Sequence, residues 1–409
     1  MAFLVANARW IAGGFLLTFF SSFGQTFFIS IWSAEIRAEF GLSHGGFGAL
    51  YMLATLGSAA TLPFLGRLID ASSVRGFAVA TMAMLTAATL LMAFSTNVVV
   101  LVVAIYGLRL FGQGLMTHTA MTAMGRWFVA NRGRAVSFAT VGHQAGEALL
   151  PSVFITVATF VTWRQGWLVA ALLIAFVALP AIATLVSSER RPEGDGAGDD
   201  PHRAGRQWTR HAVLHDPAFW LLALGVMVPP FVGTSIFFHQ SYLIELNGWD
   251  PAVYYGGFAI MAATTTVFAL LTGLAVDRFG AVAVLPAFSV PLALACATLG
   301  FFEAELAAIV FMFFLGVSYG ISSTLFGALW PEVYGTRHLG AVRSVVVAMM
   351  VFFTAAGPGL TGWLIDAGIP FPVQLRWLAL YCVAVTGLML WIVPRLQERV
   401  RIEVRPAAL

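Results

Sequence analysis

Twelve apolar stretches, each of about twenty residues or more, follow one another along the chain: 10–33, 45–69, 76–96, 98–124, 135–160, 164–187, 217–244, 252–276, 281–302, 305–330, 341–365 and 372–394. A helix needs about 20 mainly apolar residues to cross the hydrocarbon of a bilayer, where backbone N–H and C=O groups find no water. Such a series leaves one architecture, an all-α integral membrane protein with twelve transmembrane helices. Composition agrees: of 409 residues 59% are apolar and 10% charged, against about 25% charged in an ordinary soluble domain. This excludes a disordered chain, a coiled coil and a soluble enzyme, and a membrane barrel would alternate polar and apolar residues instead. No small-residue cleavage site follows the first run, which therefore reads as a retained helix.

All 22 basic residues are Arg and none is Lys, so no Schiff-base chemistry is available. Twelve spans place both termini on one side. If that side is the cytoplasm, eighteen arginines lie in inner segments, Arg37, Arg164 and Arg376 in outer ones, and Arg109 inside a span. The bias is that of a protein in the inner (plasma) membrane with cytoplasmic ends. It also accounts for a pI near 9.1 without a nucleic-acid partner. Cys296 and Cys382 both lie in apolar runs, where a thiol acts as a small hydrophobe. No metal, cofactor or nucleotide motif is present, and no enzymatic activity is expected.

Between Ser187 and Asp216 the chain turns polar, with Pro192, Gly194, Gly196, Gly198 and Pro201 among charges of both signs. Such a stretch reads as a flexible linker. The expected organisation is a six-helix bundle over 1–187, a cytoplasmic linker over 188–216, a second bundle over 217–396 and a cytoplasmic tail over 397–409. The two bundles also resemble each other. Gly41 and Gly248, Gly66…Asp70 and Gly273…Asp277, Gly133 and Gly340, and Pro151 and Pro358 are all separated by 207 positions and fall at equivalent places. A parallel six-plus-six repeat of this kind places a cavity between the halves near the bilayer midplane.

At the loop after the second span stands Gly66-Arg67-Leu68-Ile69-Asp70, ending in Arg75, and its second copy reads Gly273-Leu274-Ala275-Val276-Asp277-Arg278-Phe279-Gly280. On these segments the chain resembles the major facilitator superfamily over essentially its whole length, with the first copy lacking the Arg and Gly expected at positions 71 and 73. The resemblance implies two pseudo-symmetric bundles working by alternating access. It also implies that Gly66, Asp70, Arg75, Gly273, Asp277 and Arg278 form conformational latches, the alternative being plain solvated turns. Arg126-Trp127-Phe128…Arg132-Gly133-Arg134-Ala135 and Asp216-Pro217-Ala218-Phe219-Trp220 are similar to segments of the monocarboxylate and oxalate–formate porters. Those porters often use a membrane Lys, which this chain lacks.

Charge in the hydrocarbon costs at least about 2.5–3.5 kcal/mol, so intramembrane ionisable residues are functional candidates. Near mid-span there are two, Arg109 in the fourth helix and Glu147 in the fifth. In an antiparallel pair with a short loop, residues at equal depth have a constant index sum; Arg109 with Glu147 and Gln113 with His143 both sum to 256. Each helix carries its two residues at i and i+4, on one face. Arg109 and Gln113 are thus candidates for binding an anionic group. Glu147 and His143 are candidates for proton coupling, since burial and a nearby cation act on a carboxyl in opposite senses and His titrates near neutrality. The competing reading is a permanent structural ion pair. Gln25, His239 and Gln240 are expected to line the outer half of the cavity, and Tyr319, Ser322 and Ser323 to supply neutral hydrogen bonds from the second bundle. Lone polar residues in membranes also serve as links between helices. Asp366 is expected to cap a helix end.

Three functions remain in competition. The first is proton-coupled symport of a small, monocarboxylate-like organic anion by a monomeric secondary transporter. The second is export of a hydrophobic or amphiphilic compound, with the Arg109–Glu147 pair structural. The third is a transporter-fold sensor or scaffold without flux.

Overall fold

The computed structural model describes residues 6–66, 68–69, 72–128, 132–188, 190, 208–335 and 339–404. Among these residues the chain is helical, with no strand. Ten helices are long and apolar enough to cross a membrane, and an eleventh span is the bent pair Ala8–Gly24 and Thr26–Phe40, which turns by 46°. The twelfth is the fifth in chain order, Arg132–Ala158. It is more polar than the rest because it carries Arg132, Arg134, His143 and Glu147, yet its 27 residues reach about 40 Å at 1.5 Å per residue. The remaining spans are His44–Gly66, Val74–Ala93, Val98–Trp127, Trp163–Leu185, Pro217–Phe238, Pro251–Phe279, Ala281–Phe301, Leu306–Tyr334, Leu339–Asp366 and Phe371–Val404. Large apolar side chains such as Phe176, Leu270 and Leu380 are exposed within the spans, as lipid-facing residues must be.

Local chemistry sets where the spans begin. Ser73, Asn97 and Thr209 accept hydrogen bonds from backbone N–H groups in the first turns of the helices they precede. Thr162 and Gln165 form a reciprocal capping box, satisfying donors that have no intrahelical partner. Asp216 and Asp250 each cap a helix whose next residue is Pro, where a missing N–H costs nothing.

The 207-residue repeat is visible in the backbone. Gly41 and Gly248 both adopt left-handed conformations, with φ of 62° and 64°, which Gly alone reaches without a Cβ penalty. The bond from Leu42 N to Arg37 O (2.9 Å) recurs as Trp249 N to Ile244 O (3.1 Å), each pair displaced by the same 207. Pro151 and Pro358 lie inside equivalent helices, the fifth and the eleventh.

The chain divides into two compact units. The first comprises Met1–Ala197 with Phe237–Leu243 and Pro358–Asp366, and the second Gly198–Ile236, Ile244–Gly357 and Ala367–Leu409. The short helix Arg210–Leu214 lies within residues expected as linker, and the last helix continues to Val404, into the expected tail. In the second unit Asp216 also accepts from Tyr334 Oη (2.9 Å) and pairs with Arg399 (2.8 Å). That carboxylate joins the starts and ends of three spans.

Candidate functional site

The site begins with a defect in the first span. After a 3₁₀ turn over Ser21–Gly24, Gln25 is extended (φ −86°, ψ 154°) and the helix restarts at Thr26. Beside it the fourth span is also irregular: Leu108–Met116, holding both Arg109 and Gln113, is π-helical. Such wide turns are rare and often mark functional sites. The two irregular segments touch through glycine. A Cβ on Gly24 would lie 2.2 Å from the carbonyl oxygen of Leu108 and 2.6 Å from the Gln113 nitrogen, so no larger residue fits there.

This approach delivers Arg109 to the break. Its side chain is 2% exposed. Nη1 donates to the Gly24 carbonyl at 3.1 Å and to Thr26 Oγ1 at 3.5 Å. The guanidinium carbon stands 5.4 Å from the centre of the Tyr51 ring, a cation–π arrangement, and Tyr51 Oη and Thr26 Oγ1 share a hydrogen bond of 2.7 Å. The Nε of Arg109 is buried and has no hydrogen-bond partner among the described residues.

Glu147 is set by the packing of the fifth span on the first. Gly142 and Gly146 press against it so closely that added Cβ atoms would fall 2.1 Å from the Phe15 carbonyl oxygen and 2.3 Å from Ser22 Oγ, a small-xxx-small contact. Glu147 is 5% exposed. Among the described residues its carboxyl makes neither a hydrogen bond nor an ion pair, and no carboxylate pairs with Arg109. Equal depth along two helices does not make them face each other: Arg109 turns toward the first and second spans.

His143 is half-buried with its ring 6.4 Å from that of Phe27. Gln25 and Gln113 are half-buried. Gln240 is fully buried, its Nε2 donating to the Phe27 carbonyl (2.8 Å) and Ser30 Oγ (3.0 Å). His239 donates to the Pro358 carbonyl at 3.2 Å and stands beside His44, ring centres 5.8 Å apart. Asp366 accepts from the backbone nitrogens of His44 (3.1 Å) and Gly45 (2.8 Å), so the helix end it caps is the start of the second span.

In the second unit Tyr319 is half-buried and reaches Gly233, where an added Cβ would be 1.6 Å from its Oη. Ser322 is buried with Oγ lacking a partner among the described residues. Ser323 lies exposed and bonds to Gly320 O at 2.9 Å. Of the latch positions, Asp70 lies outside the described residues. The Gly66 carbonyl meets His118 Nε2 at 3.2 Å, while Arg75, Asp277 and Arg278 are exposed and Gly273 has open space around its Cα.

Sequence reasoning missed Thr26, Tyr51 and Glu332. Tyr51, Thr55 and Ser58 are buried at i, i+4 and i+7 of the second span, a polar stripe that helical spacing exposes once sought. Glu332 accepts from the nitrogens of Ala281 (2.6 Å) and Val282 (3.2 Å), capping the ninth span beside the second Asp-Arg-x-Gly copy.

Comparison with known proteins fits this architecture. Two crystal structures of a bacterial homologue of the human lysosomal transporter Spinster are similar to the chain. Its inward-facing, unoccupied form matches with a TM-score of 0.68 at 14% identity, covering 98% of each chain. The inward-facing, occupied form gives 0.65 at 14% identity, covering 97% of this chain and 96% of that one. No curated protein sequence matches significantly. The family profile of the Major Facilitator Superfamily matches residues 14–345, well over half of the chain. The protein therefore belongs to the major facilitator superfamily, as a multi-pass membrane transporter.

Proposed function

We propose that the protein is a secondary transporter that moves a small, monocarboxylate-like organic anion across the inner membrane by alternating access, together with a proton. One observation supports this reading above the others: Arg109 is a buried cation with no carboxylate partner among the described residues and an unbonded Nε. A cation at this depth is costly by itself, and an anionic substrate offsets that cost. The planar guanidinium also matches a carboxylate, offering two parallel N–H donors. The anion takes the place of the weak Thr26 contact and of the Gly24 carbonyl, while the Tyr51 face continues to support the guanidinium.

Glu147 supplies the proton in this scheme. With a proton on Glu147 and an anion on Arg109, the loaded site gains no net charge, which eases its transit through low dielectric. His143 and Gln113, one helical turn away on the same faces, relay or share hydrogen bonds. Gln25 sits at the break itself. Tyr319 and Ser322 are kept as the second bundle's proposed neutral hydrogen-bonding groups, and Ser323 is the weaker candidate because it is exposed. The latch role of Gly66, Asp70, Arg75, Gly273, Asp277 and Arg278 is proposed for the outward-facing state, and both termini are assigned to the cytoplasm.

The hold of Arg109 on Gly24 favours a second reading, in which the arginine is a structural strut and the cargo is amphiphilic. Proteoliposomes containing the full chain separate the two. Formate, acetate, lactate, pyruvate and oxalate are offered with and without an inside-alkaline gradient. Saturable uptake of at least one monocarboxylate, raised by the gradient, is the expected result. Absence of flux for all five, with transport of a lipophilic dye, would establish the exporter reading instead.

A further inference from the structure

The segment of the first span that Arg109 grips is gripped from a second direction as well. Arg109 holds Gly24 and Thr26. One residue further on, Gln240 holds the Phe27 carbonyl and, three residues beyond that, Ser30. Ser30 Oγ in turn donates to the Phe237 carbonyl, and Ser241 Oγ donates to the Ser30 carbonyl at 3.1 Å. Ser30 and Phe237 are themselves 207 positions apart, so the repeat partners meet each other at this point. Residues 237–243, which cover the end of the seventh span and the start of the helix Gln240–Asn247 that follows it, belong to the first compact unit.

The tie is built to yield. Gln240 is fully buried, yet only its Nε2 is satisfied, and its Oε1 has no partner among the described residues. A half-satisfied buried amide forfeits part of the stability that full pairing would give. Gln25, whose extended backbone interrupts the helix, lies inside the Arg109 grip, between Gly24 and Thr26, whereas Thr26 and Phe27 share the helical turn Thr26–Ile29. A shift of Thr26 therefore carries Phe27 with it, while the break at Gln25 spares the preceding helix from bending.

We propose that Gln240 is a positioning residue that couples the occupancy of Arg109 to the release of residues 237–243 from the first span. With no anion bound, Arg109 fixes Gly24 and Thr26, Phe27 is in register for Gln240, and residues 237–243 are held. When a carboxylate takes the guanidinium, Gly24 and Thr26 are let go, the break relaxes, and the bonds from Gln240 to Phe27 and Ser30 loosen. The proposal rests on the anion reading of Arg109. It gives Gln240 a different task from the substrate contact expected of it in sequence.

Coupling of this kind is reciprocal: if the anion favours release, a weaker tie must strengthen anion binding. That consequence sets a tie apart from a contact, whose removal weakens binding. The test measures pyruvate and lactate binding by calorimetry on the purified full chain, comparing wild type with Gln240→Met, which keeps volume and removes the donor. Two net hydrogen bonds of ordinary strength correspond to a gain in affinity of about 30-fold, with slower turnover because the segment no longer re-engages. Ser241→Ala, which removes one bond, is expected to show a smaller gain in the same direction and covers the case of a poorly folded Gln240 variant. Unchanged or weaker binding in both variants, with wild type binding normally, overturns the coupling alone. Absence of binding in wild type overturns the anion reading and the coupling with it.

Discussion

Arg109→Gln is expected to lower carboxylate uptake in proteoliposomes by about 100-fold or more while the protein remains folded. Removing one partner of a buried, hydrogen-bonded charge pair costs about 2–5 kcal/mol, and each 1.4 kcal/mol is a factor of ten. The substitution is also informative about structure. Gln retains a donor for the Gly24 carbonyl and fills part of the space on the Tyr51 ring, so the break in the first span keeps a partner. If Arg109 were a strut, the dominant effect would be a drop in melting temperature, with uptake per folded molecule close to wild type. The two outcomes are read from one preparation by measuring uptake and thermal unfolding together. Arg109→Lys is expected to recover only part of the loss, since an ammonium is a point charge without the planar fork.

Glu147→Gln is expected to abolish accumulation driven by a pH gradient while leaving carboxylate exchange across the membrane intact. In a one-proton, one-anion cycle each pH unit of gradient supports about ten-fold accumulation, from the 1.36 kcal/mol carried per unit. Gln imitates the protonated acid in shape and charge but cannot release a proton, so the loaded carrier still crosses and the gradient loses its hold. Accumulation should fall to the level reached with no gradient, with counterflow of labelled against unlabelled anion retained. Gly146 packs so tightly on Ser22 that the backbone at Glu147 is fixed by its neighbour, and the isosteric change should cost little stability. Gradient-driven accumulation that survives in Glu147→Gln assigns the proton to another group, with His143 the next to test.

The spans were legible because the bilayer imposes one demand, about twenty apolar residues with every backbone group paired within the helix, and a sequence meets it openly. The fifth helix shows the limit of that signal: Arg132, Arg134, His143 and Glu147 lower its apolarity. The repeat was legible for a similar reason. Gly41 and Gly248 occupy a left-handed turn that only glycine enters freely, so the residue type recorded the geometry.

What could not be read was the irregular backbone. Nothing in Ser21-Ser22-Phe23-Gly24-Gln25-Thr26 announces a break, since no proline is present. The π-helical turn over Leu108–Met116 leaves no compositional trace, although it rotates the face that carries Arg109. The index sums placed Arg109 and Glu147 at one depth, but facing direction depends on that rotation and on the glycine approach at Gly24. Arg109 consequently meets Thr26 and Tyr51, neither of which stands near it in sequence. His239 and Gln240 were visible as polar residues in an apolar run, whereas their bonds to Pro358, Phe27 and Ser30 belong to the tertiary packing of three spans.

Recognition of negative charge on the substrate by Arg109 is tested most directly by comparing lactate with lactamide, its uncharged amide of nearly the same shape, as inhibitors of labelled carboxylate uptake. Wild type is expected to prefer lactate by about 100-fold, in line with a hydrogen-bonded charge pair, and Arg109→Gln, assayed by direct binding, to show almost no preference. Equal inhibition of the wild-type protein by lactate and lactamide would show that Arg109 does not recognise the substrate's charge.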